Sequence, residues 1–137
     1  MEFYSVLTFL ELGDERGNLV AVEGNRDIPF EIARVFYLYG TDGTMVRGRH
    51  ANRNSQFVLI NVAGSSKVKV DDGLGHIQVV NLDKPRLGLY LPQMVWKEMY
   101  DFSQDSVILV LSDQHYDSTE YIRDYDQFRK EVKEQSD

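Results

Sequence analysis

The stretch RGRHANRNSQFVLINVAG, residues 47–64, sets a polar segment containing one histidine directly before a continuous apolar run. In an extended chain, side chains two residues apart point the same way, so His50, Asn52, Asn54 and Gln56 would share one face. An apolar run without alternation is typical of a strand that is buried on both faces of a sheet. The stretch therefore predicts one strand that lines a site, followed by one strand in the core.

Most of the remaining chain also has the character of short strands. Segments rich in β-branched and aromatic residues are separated by Asp-Gly, Lys-Pro and Leu-Pro turn signals. About nine such strands favour an all-β sandwich or barrel. They cover residues 3–9, 19–22, 34–39, 57–63, 67–70, 76–80, 87–91, 95–100 and 106–112.

After residue 116 the apolar residues recur at helical spacing. Asp117 is followed three residues later by Glu120, which is typical of a capping box. The apolar stripe comprises Tyr121, Ile122, Tyr125, Phe128 and Val132. We predict one C-terminal helix packed on the barrel, within a single domain spanning residues 1–137.

Composition restricts the classes of function. The net charge of −7 argues against general nucleic-acid binding, although a local arginine cluster could still bind a small anion. The absence of cysteine excludes disulfides, thiolate metal sites and cysteine nucleophiles. The N-terminus lacks signal-peptide character, and no apolar run approaches the ~20 residues of a membrane helix. We expect a soluble, cytoplasmic protein that does not bind membranes.

His50 is the leading candidate for chemistry. A lone histidine is more often structural, and we assign His76 and His115 to that class. His50 differs because arginines precede it and polar residues alternate after it. Those polar residues are amides, which are poor ligands for transition metals, so we expect no metal. A histidine that titrates near neutrality is instead suited to moving protons.

The strand RVFYLY, residues 34–39, could complete such a site. Tyr37 and Tyr39 could face His50, although packing is the simpler explanation for either tyrosine alone. A phenol both donates and accepts hydrogen bonds, so it could stabilise an enolate oxygen or pass a proton between oxygens. Arg34 could bind a phosphate bidentately, as could Arg47 at the start of the polar segment.

The strand VWKEMY contains two residues that could have either a structural or a functional role. Trp96 could belong to the core or form a stacking platform, and Glu98 could orient the histidine or bind a sugar hydroxyl. We assign Arg49 and Arg53 to the surface. The residues alone thus predict a β-barrel whose pocket suits metal-free proton transfer on an anionic substrate.

The chain resembles the sugar 3,4-ketoisomerases of nucleotide-deoxysugar pathways, a metal-free branch of the cupin superfamily. The resemblance runs nearly end to end. It is carried by RGNLVAVEG (16–24), IPFEIARVFYLY (28–39), RGRHANR (47–53), VLINVAGSSKVKVDDG (58–73), LGLYLPQMVWKEMYDFS (87–103) and SVILVLSDQHYDSTEYIRDYDQF (106–128).

The resemblance implies a cupin-type jelly-roll barrel that forms a homodimer, commonly with exchanged N-terminal strands. It implies a dTDP-4-oxo-6-deoxyglucose substrate whose carbonyl moves from C4 to C3, without a cofactor, for 3-amino-3,6-dideoxysugar synthesis. It further implies that His50 is the base, that Tyr37 is the proton-relaying phenol, and that Arg47 contacts the pyrophosphate or the sugar.

The sequence departs from the family's R-G-x-H-x-H pattern, because Asn52 replaces the second histidine. Asn52 could bind a sugar hydroxyl but cannot carry a proton at neutral pH. Gln56 likewise stands where a glutamate is common. The resemblance also implies that the positions of Arg16 and Lys97 influence which face of C4 is protonated. The alternative function is therefore a degenerate cupin that binds a nucleotide sugar without converting it.

Overall fold

The computed structural model describes residues 2–136, so both terminal residues of the predicted 1–137 domain lie outside the described range. Two five-stranded antiparallel sheets make up most of the molecule. The first sheet has the order β1 (Ser5–Thr8), β9 (Leu87–Leu91), β6 (Phe57–Ala63), β11 (Val107–Ser112), β4 (Arg34–Tyr39). The second has the order β12 (Tyr121–Ile122), β5 (Arg47–Asn52), β10 (Trp96–Tyr100), β7 (Ser66–Asp71), β8 (Ile77–Leu82). A separate hairpin joins β2 (Glu11–Asp14) to β3 (Gly17–Val20), and α1 spans Tyr125–Ser136.

The main core lies between the two sheets. Phe57 and Leu59 of β6 meet Val68 and Val70 of β7 there, and all four are at most 2% exposed. The lysines that alternate with these valines are only partly buried, as the pattern KVKV indicates. The predicted all-β fold with one C-terminal helix is confirmed, although the two sheets stay separate in the described chain and form an open sandwich.

The strand β6 is covered on both faces, which explains its unbroken apolar run. Its alternate residues Val58 and Ile60 belong to a second apolar cluster on the outer face of the first sheet. The segment that contains Ile28 and Phe30 covers this cluster. Burial on both faces removes the need for polar residues at every second position.

The predicted C-terminal helix begins later than its sequence pattern indicates. Asp117 caps a short 3₁₀ turn, Ser118–Glu120, by accepting from the backbone N–H of Thr119. The next two residues form β12 and pair with β5. Only Phe128 and Val132 of the expected stripe are buried on α1, where they pack against Ala51 and Trp96. Strand pairing thus overrides the helical spacing of Tyr121 and Ile122.

In residues 2–136, none of the helices has both the length and the apolar character needed to cross a membrane.

Candidate active site

A small cavity of about 70 Å³ lies between the two sheets and contains His50. Its wall combines apolar side chains with one imidazole, one ammonium and one phenol. The lining residues are Phe36, His50, Phe57, Leu59, Lys97, Met99, Val110 and Tyr121.

A β-bulge in β5 sets which side chains face this cavity. Lys97 of β10 is opposite His50, but the next residue of β10 is opposite Gly48, so Arg49 is the extra residue. Gly48 and Arg49 have φ of 91° and 55°, and a Cβ on Gly48 would lie 3.0 Å from the carbonyl oxygen of Lys97. Arg47 is consequently opposite Met99, on the His50 face, with its side chain exposed.

The environment of His50 favours the neutral imidazole. Burial and the positive charge of Lys97 lower its pKa to about 4, and the positive charge of Arg123 acts in the same direction. The imidazole ring packs against the Tyr121 ring, with 4.8 Å between centroids. His50 is therefore an unprotonated base at neutral pH, held in place by an aromatic wall.

Lys97 is a buried cation beside that base. Its residue is 4% exposed, and its Nζ lies 4.3 Å from the centroid of the Phe57 ring. Burial lowers its pKa to about 7, while the Glu120 carboxylate opposes this shift and Arg34 adds to it. Lys97 Nζ donates to Asn52 Oδ1 over 3.3 Å.

Arg34 brings a second cation to the inner side of β4. Its guanidinium carbon lies 5.2 Å from the Phe36 ring centroid, 5.9 Å from that of Phe57 and 5.6 Å from that of Tyr116. Its Nε and Nη2 are buried, and within residues 2–136 they have no hydrogen-bond partner. Unpaired buried donors of a guanidinium can bind an anion or a carbonyl oxygen.

Asn52 is buried and its amide is used within the protein. Its Nδ2 donates to Glu120 Oε2 over 2.9 Å, while its Oδ1 accepts from Lys97. Glu120 also accepts from the backbone N–H groups of Asn54 and Ser55 and from the Ser55 hydroxyl. Although burial raises the pKa of the Glu120 carboxyl, these hydrogen bonds together hold it below its ordinary value. Asn52 thus contacts the cavity-lining Lys97 but does not itself line the cavity.

Tyr37 does not face His50. The side chains of β4 alternate, and the inward position is taken by Phe36, which lines the cavity. Tyr37 is 61% exposed on the opposite face and stacks on Tyr39 at 6.0 Å. The expectation that Tyr37 could face His50 is wrong for this chain, because Phe36 takes the inward position. The sequence RVFYLY fits either choice of inward positions, so it could not decide between them.

Trp96 and Glu98 also lie away from the cavity. They are on the outer face of β10, where the Trp96 ring packs against Phe128 of α1. Trp96 Nε1 donates to Glu98 Oε2 over 2.9 Å, and Lys69 Nζ lies 3.7 Å from the same oxygen. Neither residue is placed to stack on a ligand in the cavity or to orient His50.

The remaining predicted site residues have other partners. Arg16 lies in the exposed β2–β3 hairpin and forms an ion pair with Asp14 at 2.6 Å. Gln56 Nε2 donates to Asp113 over 2.9 Å, and Gln56 Oε1 accepts from the Tyr90 hydroxyl. The described chain, residues 2–136, contains no group of three His, Cys, Asp or Glu side chains arranged to hold a metal ion.

Sequence reasoning missed two site residues, Tyr121 and Glu120. The helical pattern places both at the start of the C-terminal helix, whereas the structure brings them to β5 through the pairing of Tyr121 with Asn52. The sequence DSTEYI, in which Glu120 precedes Tyr121 and Ile122, carries no local signal for this long-range contact.

Comparisons with known proteins agree along nearly the whole chain. Residues 2–133 match the family described as WxcM-like, C-terminal. A TDP-4-oxo-6-deoxy-alpha-D-glucose-3,4-oxoisomerase from Aneurinibacillus thermoaerophilus is 47% identical over 127 residues, which cover 93% of this chain and 91% of that protein.

Solved structures of similar proteins have the same fold. A mutant of the 3,4-ketoisomerase QdtA from Thermoanaerobacterium thermosaccharolyticum, in complex with TDP-4-keto-6-deoxyglucose, aligns with a TM-score of 0.94 at 36% identity, covering 98% of this chain and 96% of that one. A 3,4-ketoisomerase from Helicobacter canadensis aligns with a TM-score of 0.92 at 39% identity, covering 95% and 97%. The chain therefore belongs to the WxcM-like, C-terminal family, and it is similar to known sugar 3,4-ketoisomerases.

Proposed function

We propose that this chain is a sugar-nucleotide 3,4-ketoisomerase that converts TDP-4-oxo-6-deoxyglucose to a TDP-3-oxo-6-deoxyhexose. The observation that carries the proposal is a neutral, partly buried His50 that shares a small cavity with the ammonium group of Lys97. The names of the 47% identical relative and of the QdtA complex supply the substrate class.

The reaction requires a base and stabilisation of negative charge. The C4 ketone acidifies the hydrogen on C3, and His50 removes that hydrogen as a proton. The electron pair left on C3 forms an enediolate, whose charge develops on the oxygen at C4. Lys97 and Arg34 lie near enough to the cavity to stabilise this charge, because cations in a site without bulk water act strongly.

The second half of the reaction returns the proton at C4. The imidazolium of His50 protonates C4, and the hydroxyl proton of O3 moves to O4, which leaves the ketone at C3. A phenol can carry the O3-to-O4 transfer because it donates and accepts at one oxygen. Tyr121 replaces Tyr37 in this role, since its ring packs on His50 and lines the cavity.

The cavity admits only the reacting part of the substrate. Ligand pockets usually measure about 300–1,000 Å³, so the nucleotide must lie outside a cavity of about 70 Å³. Arg47 is exposed on the His50 face of β5, and Arg123 lies 4.7 Å from the Tyr121 ring centroid. We assign contacts with the diphosphate to these two arginines.

A second copy of the chain is expected to complete the molecule. Large apolar side chains are exposed on β4, β6 and the β2–β3 hairpin, including Val35, Tyr37, Tyr39, Val62, Leu12 and Leu19. Their number favours a protein interface. We propose a homodimer with exchanged N-terminal strands. Here β1 pairs with β9 of the same chain, and in the dimer it would form the same pairing with β9 of the other copy. The exposed hairpin could then bring Arg16 to the neighbouring copy.

The product would serve an enzyme that adds an amino group to a ketone. A carbonyl at C3 is the group that an aminotransferase requires to make a 3-amino-3,6-dideoxysugar. We place the chain in the cytoplasm, in such a pathway.

The direct test incubates TDP-4-oxo-6-deoxyglucose with the purified chain and follows the sugar by carbon NMR. The wild type should give a ketone at C3, whereas His50→Asn should give none and still bind TDP. Binding without conversion by the wild type would instead identify a degenerate, ligand-binding member of the family.

A further inference from the structure

We infer that Glu120 is a positioning residue for the proposed reaction: through the Asn52 amide, it holds the Lys97 ammonium at the wall of the His50 cavity. The inference rests on the proposed isomerase function and deepens it. Glu120 is 3% exposed, and it reaches Asn52 only because the 3₁₀ turn packs beside β5.

The direction of the hydrogen bonds supports this role. A carboxylate only accepts hydrogen bonds, and an ammonium group only donates them. Glu120 Oε2 accepts from Asn52 Nδ2 at 2.9 Å, so the oxygen end of the amide must face Lys97, whose Nζ lies 3.3 Å away. A reversed amide would present N–H groups to an ammonium and would repel it. Glu120 therefore fixes the orientation that Lys97 needs.

The balance of charge around Lys97 supports the same conclusion. The groups that face it are Arg34 from β4, His50 from β5 and Glu120 from the 3₁₀ turn. Burial and Arg34 disfavour the ammonium form, whereas the Glu120 carboxylate favours it. Because burial without a counter-charge favours the neutral amine, Glu120 increases the fraction of Lys97 that is charged near neutral pH, where the reaction needs a cation.

A purely structural role for Glu120 must be separated from this one. Glu120 Oε1 accepts from the backbone N–H groups of Asn54 at 2.8 Å and Ser55 at 2.9 Å, so it also ties down the turn after β5. Removing Glu120 alone would disturb both functions. The double variant Glu120→Gln/Asn52→Asp separates the two functions. Its amide at position 120 can still donate to the side chain at position 52, and the carboxylate at position 52 can still accept from Lys97.

The experiment compares wild type, Glu120→Gln, the double variant Glu120→Gln/Asn52→Asp, and the control Glu134→Gln, which removes one charge from an exposed position of α1. We expect Glu120→Gln to lower kcat about 10- to 100-fold, as for a misplaced catalytic group, with a smaller change in KM. The upper pH limit of kcat should move to lower pH. The double variant should recover most of kcat and the wild-type pH limit, and the control should match wild type.

Three outcomes would overturn the inference. The first is a Glu120→Gln variant with the kcat and pH profile of the wild type, and the second is a folded double variant whose kcat is no higher than that of Glu120→Gln. The third is a Lys97 pKa, measured by carbon NMR, that does not change in Glu120→Gln. The titration needs no substrate, so it tests the inference even if the wild type proves inactive and the proposed function fails. If Glu120→Gln does not fold, Asn52→Leu must lower the Lys97 pKa in the same way, since it breaks the connection but leaves the turn contacts.

Discussion

At His50, burial and the neighbouring cation Lys97 both act against protonation, so the imidazole is neutral at pH 7 and can accept a proton. The sequence identified His50 from its polar, arginine-rich surroundings, and the cavity places it with Lys97. The sequence could not show which tyrosine accompanies it. Tyr37 and Tyr121 carry the same phenol group, and only strand alternation and the pairing of β12 with β5 decide between them.

The environment of His50 predicts a pH dependence of stability. Its pKa is about 4 in the folded chain and 6.5 at its ordinary value. Between these values the unfolded chain binds a proton that the folded chain does not, so stability falls as pH falls from 6.5 to 4. His50→Gln should remove up to about 3 kcal/mol of this loss. Urea unfolding at about pH 7 and about pH 4.5 measures this loss of stability, with the exposed His115→Gln as control. An equal loss in His50→Gln and wild type would contradict the attribution of the pH dependence to His50.

A pair of tyrosine variants tests which phenol relays the proton. Tyr121→Phe should lower kcat by about 10²- to 10⁴-fold, the usual contribution of a proton-transfer group. Tyr37→Phe should leave kcat unchanged, because its ring lies on the opposite face of β4. Steady-state assays on TDP-4-oxo-6-deoxyglucose give both values. A large loss in Tyr37→Phe with none in Tyr121→Phe would restore the interpretation made from sequence.

Among the strands, the bulge in β5 determines the site. His50 and Arg47 are an odd number of residues apart, so a regular strand would put them on opposite faces. The extra residue Arg49 brings them to one face. The Gly-Arg pair gave no unambiguous signal for this bulge, whereas the strands β4, β6 and β9 were predicted to the residue, because apolar runs and turns mark their ends.

A glycine pair tests the bulge. Gly48→Ala should destabilise the chain by about 1–3 kcal/mol and reduce kcat, because it combines a positive φ with a Cβ 3.0 Å from the Lys97 carbonyl oxygen. Gly40→Ala has a positive φ of 68° but nothing within 4 Å of its Cβ. Thermal unfolding and kcat should show a smaller stability loss and unchanged activity there. Equal activity in the two variants would argue against a functional bulge.

Across the molecule, the exposed apolar side chains are the main feature that one chain leaves unexplained. The sequence indicated a mostly β sandwich or barrel from its strand and turn signals, and it indicated buried strands from the continuous apolar runs. It could not show which apolar residues stay exposed, because that depends on how the sheets pack.

Light scattering tests the proposed dimer. The wild type should have twice the mass of one chain, and Val62→Arg should shift it toward the monomer, since Val62 is 43% exposed on β6 and lines an apolar depression with Val20 and Leu109. The control Val79→Arg changes a residue of similar exposure, 48%, on β8 of the other sheet. A monomeric wild type at micromolar concentration would contradict the proposal.

The essential step of the proposed reaction is the movement of a proton by His50 from C3 to C4 of a keto sugar. Proton NMR of TDP-4-oxo-6-deoxyglucose incubated with the protein in D2O observes this step itself. We predict loss of the C3 proton signal and a 3-oxo product with deuterium at C4, both abolished in His50→Asn, and the C4 coupling constants then give the face of protonation. A wild type that exchanges nothing beyond the enzyme-free rate, or a His50→Asn variant that exchanges like wild type, would contradict the assignment of His50 as the base.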